Sequence, residues 1–294
     1  MLVIPMLRAL LEQDPSHVIT AGQSHAKSHL AARLLPGVLP LTIDTPAWAD
    51  LFSPHATPAC PPNHVTQALQ NADHIISFLA TKHDVWSANV QRLAPNAKLF
   101  HLQARPENGP ANPAITPEHI TAFHARQLAA QGLHYTPAKA NTQRPNHTAS
   151  TPILIHPGSG GKDKNWPTAQ WESFITHAQN VGRCFVPILG EVELETWPAI
   201  TLARWRNQFA AVSCHTLDDL YDMLQSSRGL IGHDSGPSHL AAAMNLPTIT
   251  LFGPTDPHAW SPFGNHVHTI APPAPCSMNW LRPEKILSVL EEVF

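Results

Sequence analysis

One stretch near the end of the chain, Gly229 to Gly264, restricts the fold more than any other; it reads GLIGHDSGPSHLAAAMNLPTITLFGPTDPHAWSPFG. A short apolar run (Gly229 to Gly232) is followed by a polar break (His233 to Gly236), an Ala-rich segment from Pro237 to Asn245 and a β-rich run from Thr248 to Phe252. That order is strand, tight loop, helix, strand. Short apolar runs with β-branched residues suit a parallel sheet buried on both faces, and Ala and Leu on both sides of a helix let it pack closely on such a sheet. Pro237 falls in the first helical turn, where its missing N–H costs nothing, and Ser235 or Asp234 can cap that turn. The free N–H groups at the helix start then point to the carboxyl end of the strand, where an anion gains roughly 0.3–2 kcal/mol.

The rest of the chain repeats the alternation. Strands are expected at His17 to Ala21, Val38 to Ile43, Asp73 to Leu79 and Ala97 to Leu102, with helices at Pro5 to Pro15, Ser24 to Leu35, Asn63 to Asn71, Asp84 to Leu93 and Thr116 to Gln131. After a polar, Pro-containing segment the pattern restarts with strands Ile153 to His156 and Cys184 to Leu189 and one near Ala211. Helices are expected at Thr168 to Asn180, Val192 to Trp197, Leu217 to Gln225 and Pro283 to Val293. This is the pattern of parallel sheets covered by helices. At 294 residues the chain has room for two such domains. We divide it into residues 1–133, a linker 134–152 and residues 153–294.

Composition excludes several classes. A net charge of -3 gives no reason to expect a nucleic-acid partner. No apolar run approaches the roughly 18 residues needed to span a bilayer, and no basic segment precedes an apolar one at the start. The four cysteines, Cys60, Cys184, Cys214 and Cys276, are widely spaced and form no Cys-x-x-Cys pair, so neither a zinc site nor a redox motif is expected. A cytoplasmic protein with reduced thiols is the reading that follows. The 20 histidines and 30 prolines are scattered along the chain, which reads as compositional bias.

The second informative stretch, His156 to Pro167 (HPGSGGKDKNWP), follows a strand and precedes a helix. Gly158, Gly160 and Gly161 allow close backbone approach to a ligand, Ser159 adds a hydroxyl, and Lys162 and Lys164 add two cations. The spacing fits neither G-x-G-x-x-G nor the P-loop, whose Lys is followed by Ser or Thr. On composition alone a solvated loop is as good a reading. With Ser235 and Gly236 in the same half, two loops flanking one diphosphate is the better joint reading. His233, Asp234 and His239 can also be read as metal ligands, but no third loop offers a partner and no Asp-x-Asp occurs, so no metal and no cofactor are expected. Glu191, Glu193 and Glu195 follow a strand end at Gly190, where a carboxylate can accept from both ribose hydroxyls. For each of the three, an exposed acidic helix start is an equal alternative.

These two stretches together resemble glycosyltransferase family 9, the ADP-heptose lipopolysaccharide heptosyltransferases and their relatives. The resemblance is carried by Asp234-Ser235-Gly236-Pro237-Ser238-His239-Leu240-Ala241-Ala242-Ala243, by Leu251-Phe252-Gly253-Pro254-Thr255-Asp256-Pro257 with Trp260, Pro262 and Gly264, and upstream by His156-Pro157-Gly158-Ser159 and Lys164-Asn165-Trp166-Pro167. It covers most of the second half; the first half agrees mainly in its α/β pattern. It implies a GT-B architecture, two Rossmann-like parallel-sheet domains facing a cleft, the acceptor held by the first and a nucleotide-sugar donor by the second.

The implied reaction is metal-independent, inverting transfer of a sugar, typically heptose from ADP-heptose, to a lipopolysaccharide core or similar lipid-linked glycan acceptor. Peripheral contact with the inner face of the inner membrane would go with such an acceptor. Carried over by position, Lys164 contacts the donor phosphates, Asp234 the sugar hydroxyls, Ser235, Gly236 and His239 the diphosphate, and Glu193 the ribose. The family's general-base Asp, in the loop after the first strand, would fall ahead of Met1, so the first domain is expected to lack its first strand and the chain its base. A non-catalytic nucleotide-sugar-binding protein is the alternative.

Overall fold

The structure is a computed structural model and describes residues 1–54, 63–79, 81–106, 118–141, 148, 150–180 and 183–294. Its strands are β1 (Ile19–Gln23), β2 (Val38–Thr42), β3 (His74–Ser77), β4 (Lys98–His101), β5 (Ile153–His156), β6 (Phe185–Leu189), β7 (Val212–Ser213), β8 (Gly229–His233), β9 (Thr248–Leu251) and β10 (Val267–Ile270). The chain divides into two compact units, one made of Met1–Pro5, Thr116–His119 and Ala138–Phe294, the other of Met6–Ile115 and Ile120–Pro137. In the larger unit the Ala138 N–H donates to the Pro5 carbonyl at 3.1 Å, tying the first residues to the start of the second half.

The larger unit holds a six-stranded sheet in the order β10-β9-β8-β5-β6-β7, parallel at every pairing. Counted from β5 and read from the β7 edge this is 3-2-1-4-5-6, the doubly wound order, in which ligands bind at the carboxyl ends of the strands beside the point where the order reverses. That point lies between β5 and β8. Both strands are buried at every residue, as the unbroken apolar runs Ile153 to Ile155 and Leu230 to Ile231 require. Trp166, Trp171, Phe174, Phe185, Trp205, Ile231 and Ile249 belong to one buried core.

The smaller unit pairs β1 with β2 and β3 with β4, both parallel, as two separate two-stranded sheets. No strand among the described residues hydrogen-bonds to both pairs. Accordingly β1 and β3 keep exposed residues at Thr20, Gln23 and His74, and Val18, Leu39 and Leu79 are exposed apolar side chains. The helices of this unit start as their caps dictate: Asn63 Oδ1 accepts from the Val65 and Thr66 N–H groups, and Asp84 Oδ1 from that of Ser87.

Several elements differ from the sequence expectations. The strand expected at His17 begins at Ile19, and the helix expected from Thr116 is described from Ile120. A helix at Ala199–Phe209 was not expected; Trp205 and Phe209, four residues apart, bury its inner face. Strand β10 was not expected either, since His268 and Thr269 interrupt its apolar run. The last helix is two pieces, Pro283–Leu287 and Leu290–Val293. Ser288 Oγ donates to the Lys285 carbonyl at 3.0 Å, a local bond that competes with the helical ladder. Cys60, the loop 55–62 and linker positions 142–147 and 149 lie outside the described residues. No helix among the described residues is long and apolar enough to cross a membrane.

Candidate functional site

The helix after β8 runs from Gly236 to Ala243 and is placed by its ends. At its end Asn245 takes a left-handed conformation (φ 62). The Leu246 N–H reaches the Ala241 carbonyl at 3.0 Å and that of Asn245 the Ala242 carbonyl at 3.1 Å, a Schellman closure. Along its length the helix lies close to β8, because a Cβ on Gly232 would come within 2.9 Å of Ser238 Oγ.

The start of the helix corrects one expectation: neither Ser235 nor Asp234 caps it. Ser235 has extended backbone and no side-chain cap bond; its hydroxyl donates instead to the His233 carbonyl at 3.4 Å. Asp234 turns to Lys164 and His239. Among the described residues no side-chain cap bond is made at the start of this helix, and a Cβ on Gly236 would meet nothing within 4 Å. Such an uncapped terminus, with open space before it, leaves backbone N–H groups that an anion could meet.

The loop after β5 meets this terminus. Lys164 Nζ donates to Asp234 Oδ2 at 2.7 Å and lies 3.4 Å from the Asp234 carbonyl. His239 Nε2 lies 3.5 Å from the other carboxylate oxygen. Burial works to raise the Asp234 carboxyl, but the His239 and Lys164 hydrogen bonds and the Lys164 charge outweigh it and hold it below the usual range. The sequence thus brings Lys164, Asp234 and His239, 75 positions apart at most by numbering, into one charged cluster with Ser235 and Gly236 beside it. Ser159 is buried and its hydroxyl accepts from the Gly161 N–H at 3.2 Å, shaping the loop. Lys162 is exposed, in the same 3-10 turn as Lys164.

Glu193 is buried, while Glu191 and Glu195 are exposed. Its Oε2 accepts from the Gly190 N–H at 2.8 Å, fixing the start of its own helix, and lies 3.4 Å from His156 Nε2. Burial again opposes ionisation, and the His156 and Gly190 bonds reverse the balance, so the carboxyl sits below its ordinary value. A Cβ on Gly158 would overlap the Glu193 carboxylate. Glu193 is thus joined to the glycine loop through Gly158 and His156.

Two further histidines complete the arrangement: His156, which the upstream motif quoted without a role, and His233, read from the sequence only as an alternative metal ligand. His156 Nδ1 is buried and has no hydrogen-bond partner among the described residues. His233 is fully buried, and both its ring nitrogens face backbone, Nε2 the Trp166 N–H at 2.9 Å and Nδ1 the Gly158 carbonyl at 3.3 Å. The alternative of His233 as a metal ligand is therefore overturned by geometry, since neither nitrogen is free. Among the described residues no group of three or more His, Cys, Asp or Glu could hold a metal ion.

Residues 122–287 match the family model described as glycosyltransferase family 9 (heptosyltransferase). The chain is 29% identical over 163 residues to lipopolysaccharide heptosyltransferase 1 of Pseudomonas aeruginosa, covering 51% of this chain and 45% of that protein. It is 32% identical over 104 residues to lipopolysaccharide heptosyltransferase 1 of Salmonella typhimurium, covering 35% of this chain and 32% of that one. The alignments span less than half the length of either relative. The solved structure of E. coli heptosyltransferase WaaC with ADP superposes with a TM-score of 0.70 at 19% identity, covering all of this chain and 95% of that one, a likeness that shows the GT-B fold. The matched segment runs through the glycine loop, β8 and the uncapped helix, and takes in more than half of the sequence; the chain belongs to glycosyltransferase family 9.

Proposed function

We propose that this chain is a glycosyltransferase that takes a sugar, heptose from ADP-heptose, and transfers it without a metal and with inversion to a lipopolysaccharide core or similar lipid-linked glycan. The observation that carries the reading is the cluster of Lys164, Asp234 and His239 at 2.7 Å and 3.5 Å beside an uncapped helix start. A diphosphate leaving group gains negative charge as the bond to the sugar breaks. Fixed cations and N–H groups are the partners that stabilise that charge without reorganising.

In this reading Lys164 and His239 meet the phosphates together with the N–H groups at Ser235 and Gly236, and Lys162 adds a second cation from the same turn. Gly158 and Ser159 bring the loop backbone against the diphosphate. Asp234 accepts from the sugar hydroxyls, and Glu193 is the ribose partner, its carboxylate held at the carboxyl end of β6 by Gly190. The acceptor hydroxyl oxygen attacks the anomeric carbon and its proton passes to solvent water, while the carbon–oxygen bond to the diphosphate breaks and its electron pair leaves on ADP. An acceptor anchored in lipid would bring the protein to the inner face of the inner membrane.

All of the assigned residues lie in the larger unit, which favours one alternative, donor binding without transfer. Calorimetry with ADP and with ADP-heptose, followed by a transfer assay on the same preparation, tests the proposal. Binding of both with sugar transfer is the expected result. Binding without transfer supports the binding protein instead, and no binding of either nucleotide removes the donor site.

A further inference from the structure

The glycine loop leaves β5 at Gly158 and returns to the protein at Trp166, where the Thr168–Asn180 helix follows. Both necks of that loop are held by one side chain from another strand, His233 at the end of β8. Its Nε2 faces the Trp166 N–H at 2.9 Å and its Nδ1 the Gly158 carbonyl at 3.3 Å. Since a backbone N–H can only donate and a carbonyl only accept, the ring is fixed as the neutral tautomer with its proton on Nδ1. The ring is fully buried and meets Trp171 edge-on, with centroids 5.6 Å apart. The same residue's carbonyl accepts from Ser238 Oγ at 2.6 Å, inside the helix whose start forms the anion site. Asp234, which pairs with Lys164, is its immediate neighbour in sequence.

We propose that His233 is a positioning residue: its imidazole closes the neck of the glycine loop and so sets where Lys164 stands relative to the start of the Gly236–Ala243 helix. Within the loop the Gly161 N–H donates to Ser159 Oγ at 3.2 Å and the Lys164 N–H to the Gly161 carbonyl at 3.0 Å, so the turn that carries Lys164 moves with the necks that hold it. Without the ring, the Gly158 carbonyl and the Trp166 N–H would each need another buried partner, and the loop would relax to find one. His233 touches no ligand itself and acts only through the loop. The inference rests on the donor-site reading where it concerns nucleotide affinity, and stands apart from it where it concerns the loop.

Two measurements on the full chain separate the two. Nitrogen-15 imidazole spectra of the ligand-free protein are expected to show His233 neutral with the proton on Nδ1, and amide exchange at Trp166 to be slow. His233→Phe, which keeps the ring buried but removes both bonds, should speed exchange at Trp166 while the β9 amides stay protected. It should also weaken ADP binding by about tenfold, the loss of roughly one net hydrogen bond or more transmitted to the ligand. His233→Asn, able to make one of the two bonds, should recover part of both effects and serves as the second variant if the Phe form does not fold. A proton on Nε2, unchanged Trp166 exchange in both variants, or unaltered ADP affinity against a wild type that binds would each overturn the proposal. A wild type that binds no ADP removes the donor reading, and the tautomer and exchange data then decide the loop role by themselves.

Discussion

The Lys164 ammonium sits 2.7 Å from the Asp234 carboxylate, so this cation is already partnered by the protein's own anion. His239 shares that carboxylate from the other side. A bare diphosphate arriving here meets an ammonium, an imidazole and, between them, a buried negative charge. A nucleotide sugar meets the same charge with hydroxyl donors to satisfy it.

Replacing Asp234 with Asn should therefore act in opposite directions on the two ligands. Removing the negative charge releases Lys164 and His239 to the phosphates, and ADP affinity is expected to rise several-fold, about 1 kcal/mol, the scale of a pair whose ammonium keeps contact with water. Affinity for ADP-heptose should gain less or fall, since a neutral amide accepts more weakly from hydroxyls. Calorimetry with both ligands measures the ratio, and weaker ADP binding in the Asn form would count against the assignment.

Lys164→Ala and His239→Ala should each weaken ADP binding, by roughly tenfold for a lost charge-assisted hydrogen bond. His239 has a second consequence that Lys164 lacks, because its backbone N–H makes the first turn's bond to the Ser235 carbonyl at 3.2 Å and survives the substitution. The helix start should therefore persist in His239→Ala. Affinities equal to wild type in both variants would remove the phosphate role.

Gly158→Ala tests packing rather than charge. The added methyl would overlap the Glu193 carboxylate, which is buried and held by the Gly190 N–H, so neither side yields easily. We expect a loss of about 1–3 kcal/mol, typical of overpacking, read by thermal denaturation. In Gly158→Ala/Glu193→Ala the loss should be less than the sum of the single losses, as for any pair in contact; strict additivity would show that the two residues do not meet.

Acid should unfold the protein in part through His233. Burial first, and then the nearby His156, lower its pKa from 6.5 to about 3, against opposing contributions from the Gly158 carbonyl, Glu193 and Asp234. A base with a depressed folded pKa takes up its proton more readily unfolded, so its contribution to stability is full above 6.5 and is lost as the pH falls toward about 3. Denaturant titrations across that window should show stability falling with pH in wild type and a shallower fall in His233→Asn. Equal slopes would mean that His233 is not titrating as its burial demands.

Much of this arrangement was legible in the sequence, and particular residues explain why. The strand–loop–helix–strand order around Asp234 reads from apolar runs, one proline and an Ala-rich segment, all local signals. Glu193 stood out from Glu191 and Glu195 only through its alignment with the family, and burial then distinguished it from them. The capping of the Gly236–Ala243 helix was misread because local rules rank Ser and Asp as caps, while here the His233 carbonyl and the Lys164 ammonium compete for those side chains. His233 itself was invisible as a positioning residue, since its partners at Gly158 and Trp166 lie 75 and 67 positions away. The Ala199–Phe209 helix and β10 carry weak periodicity and owe their form to the core they pack on.

The Pro5 carbonyl and the Ala138 N–H, 3.1 Å apart, have a topological consequence. The chain leaves the larger unit at Pro5 and finally rejoins it at Ala138, so the intervening polypeptide is a loop whose two ends are fastened together. The larger unit is thus discontinuous in sequence, and the stretch between Pro5 and Ala138 contributes one further piece to it, Thr116–His119. A fragment cut at Ala138 would shed the hydrogen-bond acceptor that belongs to its own fold; joining residue 5 to residue 138 by a short linker would keep that acceptor and lose Thr116–His119 from the larger unit.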